Sequence, residues 1–190
     1  MLYVLNKYIN PLINNYIYYY NLRLIQLLSK YDNDILLEHI VTSDNKIIMS
    51  DGVCIIRRYD KVEVKVYGNY YGLNYNCGYY TFNNFYLLYE YIRPVSLIDI
   101  CGMIHNISLI ISRGSFFNIY FANLLFLINN LKIIRLSSKL KSIIITLYQP
   151  LIFISTLYLY YGLKYDNINK ETYYKLKLII DYYQNIINKL

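Results

Sequence analysis

Two stretches of this chain carry no charged side chain over a bilayer-scale length, and every fold proposed for it has to place them. They are Gly114–Leu131 and Ser142–Leu163. A membrane-spanning helix needs about 20 predominantly apolar residues, so length alone leaves a membrane open. Polar content points another way. Asn118, Asn123, Asn129 and Asn130 interrupt the first stretch. Gln149-Pro150 divides the second, with Thr146, Ser155 and Thr156 around it. Ile143, Ile144 and Ile145 form a β-branched run, which favours strand. Asn129-Asn130 and Gln149-Pro150 have turn chemistry. The expectation is therefore that each stretch is two short buried strands joined by a turn, with membrane helices as the alternative.

The remaining pattern places strands at the centre and helices at the ends. Leu2–Ser29 reads as helix broken near Pro11, and Asp32 or Asp34 caps a short helix over Ile35–Ile40. Strands follow at Lys46–Met49, Val53–Arg58 and Val62–Tyr67. In the last of these, Val62, Val64 and Val66 alternate with Glu63 and Lys65. Gly68–Gly78 is a loop region, Phe85–Tyr91 a further strand, and Arg93-Pro94 a boundary. From Val95 onward come short apolar runs, Leu97–Ile100, Ile104–Ile111, Phe121–Ile128, Ile133–Leu136, Ser142–Leu147 and Leu151–Leu157. Regular runs of this size predict a small barrel. The tail has apolar residues at helical spacing, with Lys and Asp between them.

Composition narrows the function classes. Formal net charge is +7, which favours a polyanionic partner or surface. There are 27 Tyr and no Trp, and Ile, Asn, Leu and Lys recur in runs; these residues have AT-rich codons, as expected of an organelle genome or a very AT-rich nucleus. Cys54, Cys77 and Cys101 are an odd number without a CxxC pair, and His39 and His105 lie far apart, so neither a disulfide framework nor a zinc site is expected. The N-terminus lacks the Arg- and Ser-rich character of a transit peptide, which fits synthesis inside an organelle. No phosphate-binding glycine loop, HExxH or GxSxG occurs, and His105 has no local nucleophile or carboxylate. The chain is expected to be no enzyme and to hold no cofactor or metal.

Four short segments between Tyr91 and Leu157 carry a resemblance. They are Tyr91-Ile92-Arg93-Pro94, then Gly102-Met103-Ile104-His105-Asn106-Ile107-Ser108-Leu109, then Arg113-Gly114-Ser115 before an apolar run, and Arg135-Leu136-Ser137-Ser138-Lys139-Leu140-Lys141. In order and approximate spacing, this resembles the bacterial and mitochondrial large-ribosomal-subunit protein-two family, over about a third of the chain. The family's C-terminal extension has no counterpart here. The resemblance implies a mainly β protein with helical ends: an N-terminal helical extension over 1–45, an oligonucleotide-binding-type barrel over 46–91, an SH3-like barrel over 96–157 and a C-terminal helix over 165–190. It also implies a structural rRNA-binding role in the large subunit of a mitochondrial ribosome, bracing rRNA near the peptidyl-transferase region. Partners would be large-subunit rRNA, neighbouring ribosomal proteins and a separate chain supplying the missing extension. The alternative is a membrane subunit of an organelle respiratory or ATP-synthase complex.

RNA recognition uses Arg and Lys on phosphate. The expected contacts are Arg57, Arg58, Lys61 and Lys65 around a hairpin, then Arg93, His105, Asn106, Arg113, Lys132, Arg135, Lys139 and Lys141 along the second barrel. Gly114 is expected to allow close backbone approach. Tyr67, Tyr70, Tyr71 and Tyr75 have stacking chemistry, with packing as their ordinary role.

Overall fold

The computed structural model describes residues 25, 34–42, 45–57, 63–72, 75–80, 91–162 and 168–190. The expected helix over Leu2–Ser29, apart from residue 25, and most of the expected strand Phe85–Tyr91 lie outside them.

The strands at the centre follow from alternation. β1 (Lys46–Ile48), β2 (Val53–Arg57) and β3 (Glu63–Tyr67) form an antiparallel sheet in the order β1-β2-β3. The register pairs Cys54 with Val66 and Ile56 with Val64. These four residues are buried with Ile40, Tyr75 and Val95, while Glu63 and Lys65 point outward. A hairpin of β4 (Tyr75–Asn76) and β5 (Tyr79–Tyr80) follows. Its two-residue turn, Cys77-Gly78, has φ of 51° and 85°, the two positive values that suit a right-twisted hairpin.

Beyond Pro94 the chain is helical. α1 spans Leu97–Ile111, α2 Phe116–Ile133, α3 Ser138–Gly162 and α4 Lys170–Asn188. Ser96 caps α1, its Oγ accepting from the Asp99 N–H at 3.3 Å. Arg113 and Gly114, at φ 50° and 73°, end that helix and turn the chain into α2. Arg135 (φ 55°) does the same between α2 and α3. Asn169 caps α4 by accepting from the Thr172 N–H at 2.8 Å, and Glu171 pairs with Lys175 one turn on at 2.6 Å.

Helix directions follow from the contacts. Leu109 near the end of α1 packs with Ile119 and Ala122 near the start of α2, and Phe116 at the start of α2 meets Phe153 and Tyr160 late in α3, so both neighbouring pairs are antiparallel. Arg113 stacks over Tyr173 near the start of α4, while Asn129 bonds Gln184 and Lys132 bonds Asn188 near its end. α4 therefore runs parallel to α2 and packs mainly on α1. α3 packs on α2, and its Leu159 joins Leu109 of α1 with Ile119 and Ala122 of α2. The α1–α2 pair is thus the centre of the bundle, with α3 and α4 on opposite sides.

This architecture overturns the mainly β expectation. The structure is 60% helical, with five short strands in two small sheets and no closed barrel among the described residues. The segment expected to form an SH3-like barrel is α1, α2 and most of α3. The sheet expected to close as an oligonucleotide-binding-type barrel stays open. Both proposed turns lie inside helices. Asn130 donates to the Phe126 carbonyl one turn back at 2.7 Å, and Pro150 sits within α3. A proline removes one backbone donor, but a long apolar helix satisfies nearly all its other backbone groups internally. A strand in the place of α3 would have had no partner on its outer edge.

Candidate functional site

The residues singled out for RNA contact do not form one surface. Arg58 and Lys61 lie outside the described residues. Arg57 and Lys65 are exposed on the sheet, and Arg57 is paired with Glu63 at 3.5 Å. Arg93 is exposed, and its carbonyl accepts from Asn69. Asn106 faces the protein interior: its Nδ2 donates to the Tyr70 and Tyr75 carbonyls, each at 3.0 Å. His105 is half-buried, bonded through Nε2 to Asn123 Oδ1 at 2.8 Å and packed on the Phe126 ring. Arg113 is engaged with Tyr173 and the Ile168 carbonyl. Gly114 serves the turn between α1 and α2 through its positive φ. Tyr67, Tyr70, Tyr71 and Tyr75 are buried. Of the expected set, Lys132, Arg135, Lys139 and Lys141 lie within ten residues at the turn joining α2 and α3, and Arg57 and Lys65 share one face of the sheet.

The most concentrated polar chemistry sits elsewhere, around Asp99 in the first turn of α1. Its carboxylate accepts from the Asn69 N–H (2.9 and 3.0 Å), the Tyr70 N–H (2.7 Å) and the Val95 N–H (3.0 Å). Asn69 extends this junction, its Oδ1 accepting from the Val41 N–H and its Nδ2 donating to the His39 and Arg93 carbonyls. Lys46 reaches in from β1 to the Val41 carbonyl and the Tyr75 hydroxyl. Burial pushes the Asp99 carboxyl up to about 7, against the pull of its three N–H donors and Lys46. Burial lowers the Lys46 ammonium and raises the Cys54 thiol to about 11. A thiol held that high is largely protonated at neutral pH and is a poor nucleophile. The cluster docks the sheet on α1. Glycines make the approach close: a Cβ on Gly68 would stand 2.5 Å from Asp99 Cγ, and one on Gly102 3.0 Å from the backbone of Tyr70 and Tyr71. Sequence reasoning missed the cluster, although Ser96-Leu97-Ile98-Asp99 before an apolar run is a capping pattern that marks α1's start. Among the described residues, no group of three or more His, Cys, Asp or Glu is placed to hold a metal.

The feature that leads outward from the molecule is the α3 flank. α2 and α3 are both long and apolar enough to cross a membrane, judged by length and composition. Only 17% of the most apolar 18-residue window of α3 is buried, against 39% for α2. One stripe of α3, through Ile145, Tyr148, Ile152, Thr156 and Leu159, faces α2 and α1. The opposite side leaves Leu147 68% and Tyr161 72% exposed, with Leu140, Ile143, Phe153 and Tyr160 also open. Phe117, 71% exposed, and Phe121 on α2 are open as well. Contiguous apolar area of this extent marks an interaction site.

Asn118, Ser142 and Thr146 are exposed, but other polar groups of α2 and α3 are turned inward. Asn123 Nδ2 donates to Thr156 Oγ1 at 3.0 Å, Thr156 donates to the Ile152 carbonyl, and Tyr120 bonds Gln149. Such cross-helix bonds hold helices in register where no water is present to compete. The side of α4 turned away from the bundle differs in kind. Glu171, Lys175, Lys177 and Asp181 are exposed there beside Tyr174, Leu178 and Tyr182. The bundle thus has one uncharged flank and one mixed, charged flank.

A class can be stated from the described residues: a small antiparallel sheet docked on four helices, with one side of them apolar. The chain matches no family model, no curated protein and no solved structure.

Proposed function

We propose that this chain is a non-catalytic membrane-bound subunit, its α3 flank immersed in the apolar layer while the sheet and α4 remain in water. The observation that carries this reading is the exposure of α3. It has no charge from Ser142 to Gly162, a stretch roughly 30 Å long at about 1.5 Å per residue that lies along the apolar layer rather than across it. Eight large apolar or aromatic residues of α2 and α3 stand open to solvent on this side. Removing each from water stabilises by about 1 kcal/mol for the half that is exposed. The sum is comparable to the net stability of a whole domain, about 5–15 kcal/mol. The charged side of α4 lies alongside at the same level, so immersion is one-sided. The bias toward AT-rich codons supports an organelle as the compartment, and within it a subunit of a respiratory or ATP-synthase complex. Carbonate extraction of organelle membranes tests the reading: the chain is expected in the pellet, and release into the supernatant refutes it.

A second reading has its own observation. Lys132, Arg135, Lys139 and Lys141 gather at one turn, and no Asp or Glu occurs from Gly114 to Leu163. That cluster favours a structural rRNA-binding protein of an organelle large ribosomal subunit, held by phosphate contacts. It requires co-sedimentation with the large subunit and release by salt with nuclease.

A further inference from the structure

We infer that the α2–α3 turn binds the headgroups of anionic phospholipid; this rests on the membrane reading above and names the lipid class that its rim selects. Arg135 and Lys139 are exposed, and Lys132 and Lys141 are half-buried. Among the described residues, none of the four is in an ion pair. Lys132 donates to the neutral amide oxygen of Asn188, which leaves its charge uncompensated. With no acidic residue from Gly114 to Leu163, no carboxylate among the described residues complements this cluster, and an external anion would.

Position distinguishes lipid from other anions. Arg135 stands in the left-handed region at φ 55°, where α2 ends and the chain reverses. The cations therefore cap the end of the helical pair, and Leu140 and Ile143, both exposed, begin the apolar flank within one turn of Lys139. Ammonium and guanidinium groups on flexible stems at the edge of an immersed apolar surface lie at headgroup depth. Single-stranded RNA is held by exposed aromatic side chains between the cations, and Phe, Tyr and Trp are all absent from Lys132 to Ile145.

The test uses the full chain and two kinds of vesicle, one of phosphatidylcholine alone and one with phosphatidylglycerol added. Stronger flotation with the anionic vesicles is expected. Each Lys or Arg changed to Gln should weaken that preference about fivefold, and the fourfold variant K132Q/R135Q/K139Q/K141Q should abolish it while still floating with phosphatidylcholine. The triple variant K170Q/K175Q/K177Q on α4 should retain it. Equal binding of the unaltered chain to both vesicles overturns the headgroup site and leaves the membrane reading standing. Failure to float with either overturns the membrane reading itself. Release from anionic vesicles by inorganic phosphate, but not by chloride at the same ionic strength, would identify a free-phosphate site and overturn the proposal. Tight binding of a structured RNA, lost in the fourfold variant and without vesicle preference, would overturn it in favour of nucleic acid.

Discussion

Leu147→Asp separates a lipid-facing helix from one exposed to water, because the two settings assign it opposite costs. Leu147 is 68% exposed on α3 and belongs to none of the packed clusters. In water, an exposed substitution of this kind changes folding stability by about 0.5 kcal/mol or less. In the apolar layer, the lost leucine contributes about 1–2 kcal/mol of transfer. A carboxylate costs about 2.5–3.5 kcal/mol at the bilayer centre, and roughly half of that at the shallower depth of a one-sided helix. The sum, about 3 kcal/mol, corresponds to a loss of roughly 150-fold in membrane partition at 1.4 kcal/mol per tenfold. Vesicle flotation with phosphatidylcholine reads this directly. Thermal melting of the unbound protein should be nearly unchanged, which shows that the variant folds. Tyr174→Asp is the matched control: Tyr174 is 62% exposed on α4, on the charged side, and its partition should stay within a few-fold of the unaltered chain. Equal flotation of Leu147→Asp and the unaltered chain would refute the assignment of the α3 flank to the membrane.

The sheet–helix junction supports further tests. Asp99 titrates at about 7 in the folded chain against an ordinary 3.8. The folded state thus holds its proton over a range where the unfolded state has released it. Stability from this group is complete below about pH 4 and declines as pH rises through 7, by on the order of 4 kcal/mol; denaturation midpoints across that range should show the slope. Asp99→Asn should remove the slope, and it should lower stability throughout by turning an amide N–H toward the donors of Asn69, Tyr70 or Val95. Gly68→Ala combines a positive φ with a Cβ 2.5 Å from Asp99 Cγ, and should cost about 3 kcal/mol or more in thermal or chemical denaturation. Asn123→Leu removes the partner of His105 and of Thr156 and should cost about 1–3 kcal/mol; an unchanged melting temperature would show that this polar chain does not hold α1, α2 and α3 together.

Local pattern was a good guide where one period could be read without ambiguity. Val64 and Val66 alternate with Glu63 and Lys65, and β3 places the valines inward and the charges outward. The apolar spacing of the tail marked a helix that the structure places at Lys170–Asn188. The uncharged stretches carried no such signal. Nearly every position in Ser142–Leu163 is apolar, so neither a period of two nor one of 3.6 stands out, and the β-branched isoleucines with Gln149-Pro150 tipped the reading toward strands and a turn. The same ambiguity let short segments of ribosomal likeness fall on α1, α2 and α3 in place of a barrel. Among the expected RNA contacts, Asn106 and His105 have partners within the protein, which an asparagine or histidine in sequence does not reveal.

By itself the sequence determined the central antiparallel strands, the amphipathic last helix, the absence of a recognisable catalytic motif and the presence of two uncharged runs with cations between them. Each is a local property, set by neighbours a few residues away. Tertiary structure decided the rest. It chose helix for the uncharged runs because a helix satisfies its own backbone without an edge partner. It drew Asp99 under the sheet, where distant N–H groups converge. Among the described residues, it left α3 with a neighbour on one side, and that turned a run of apolar letters into an outward-facing surface.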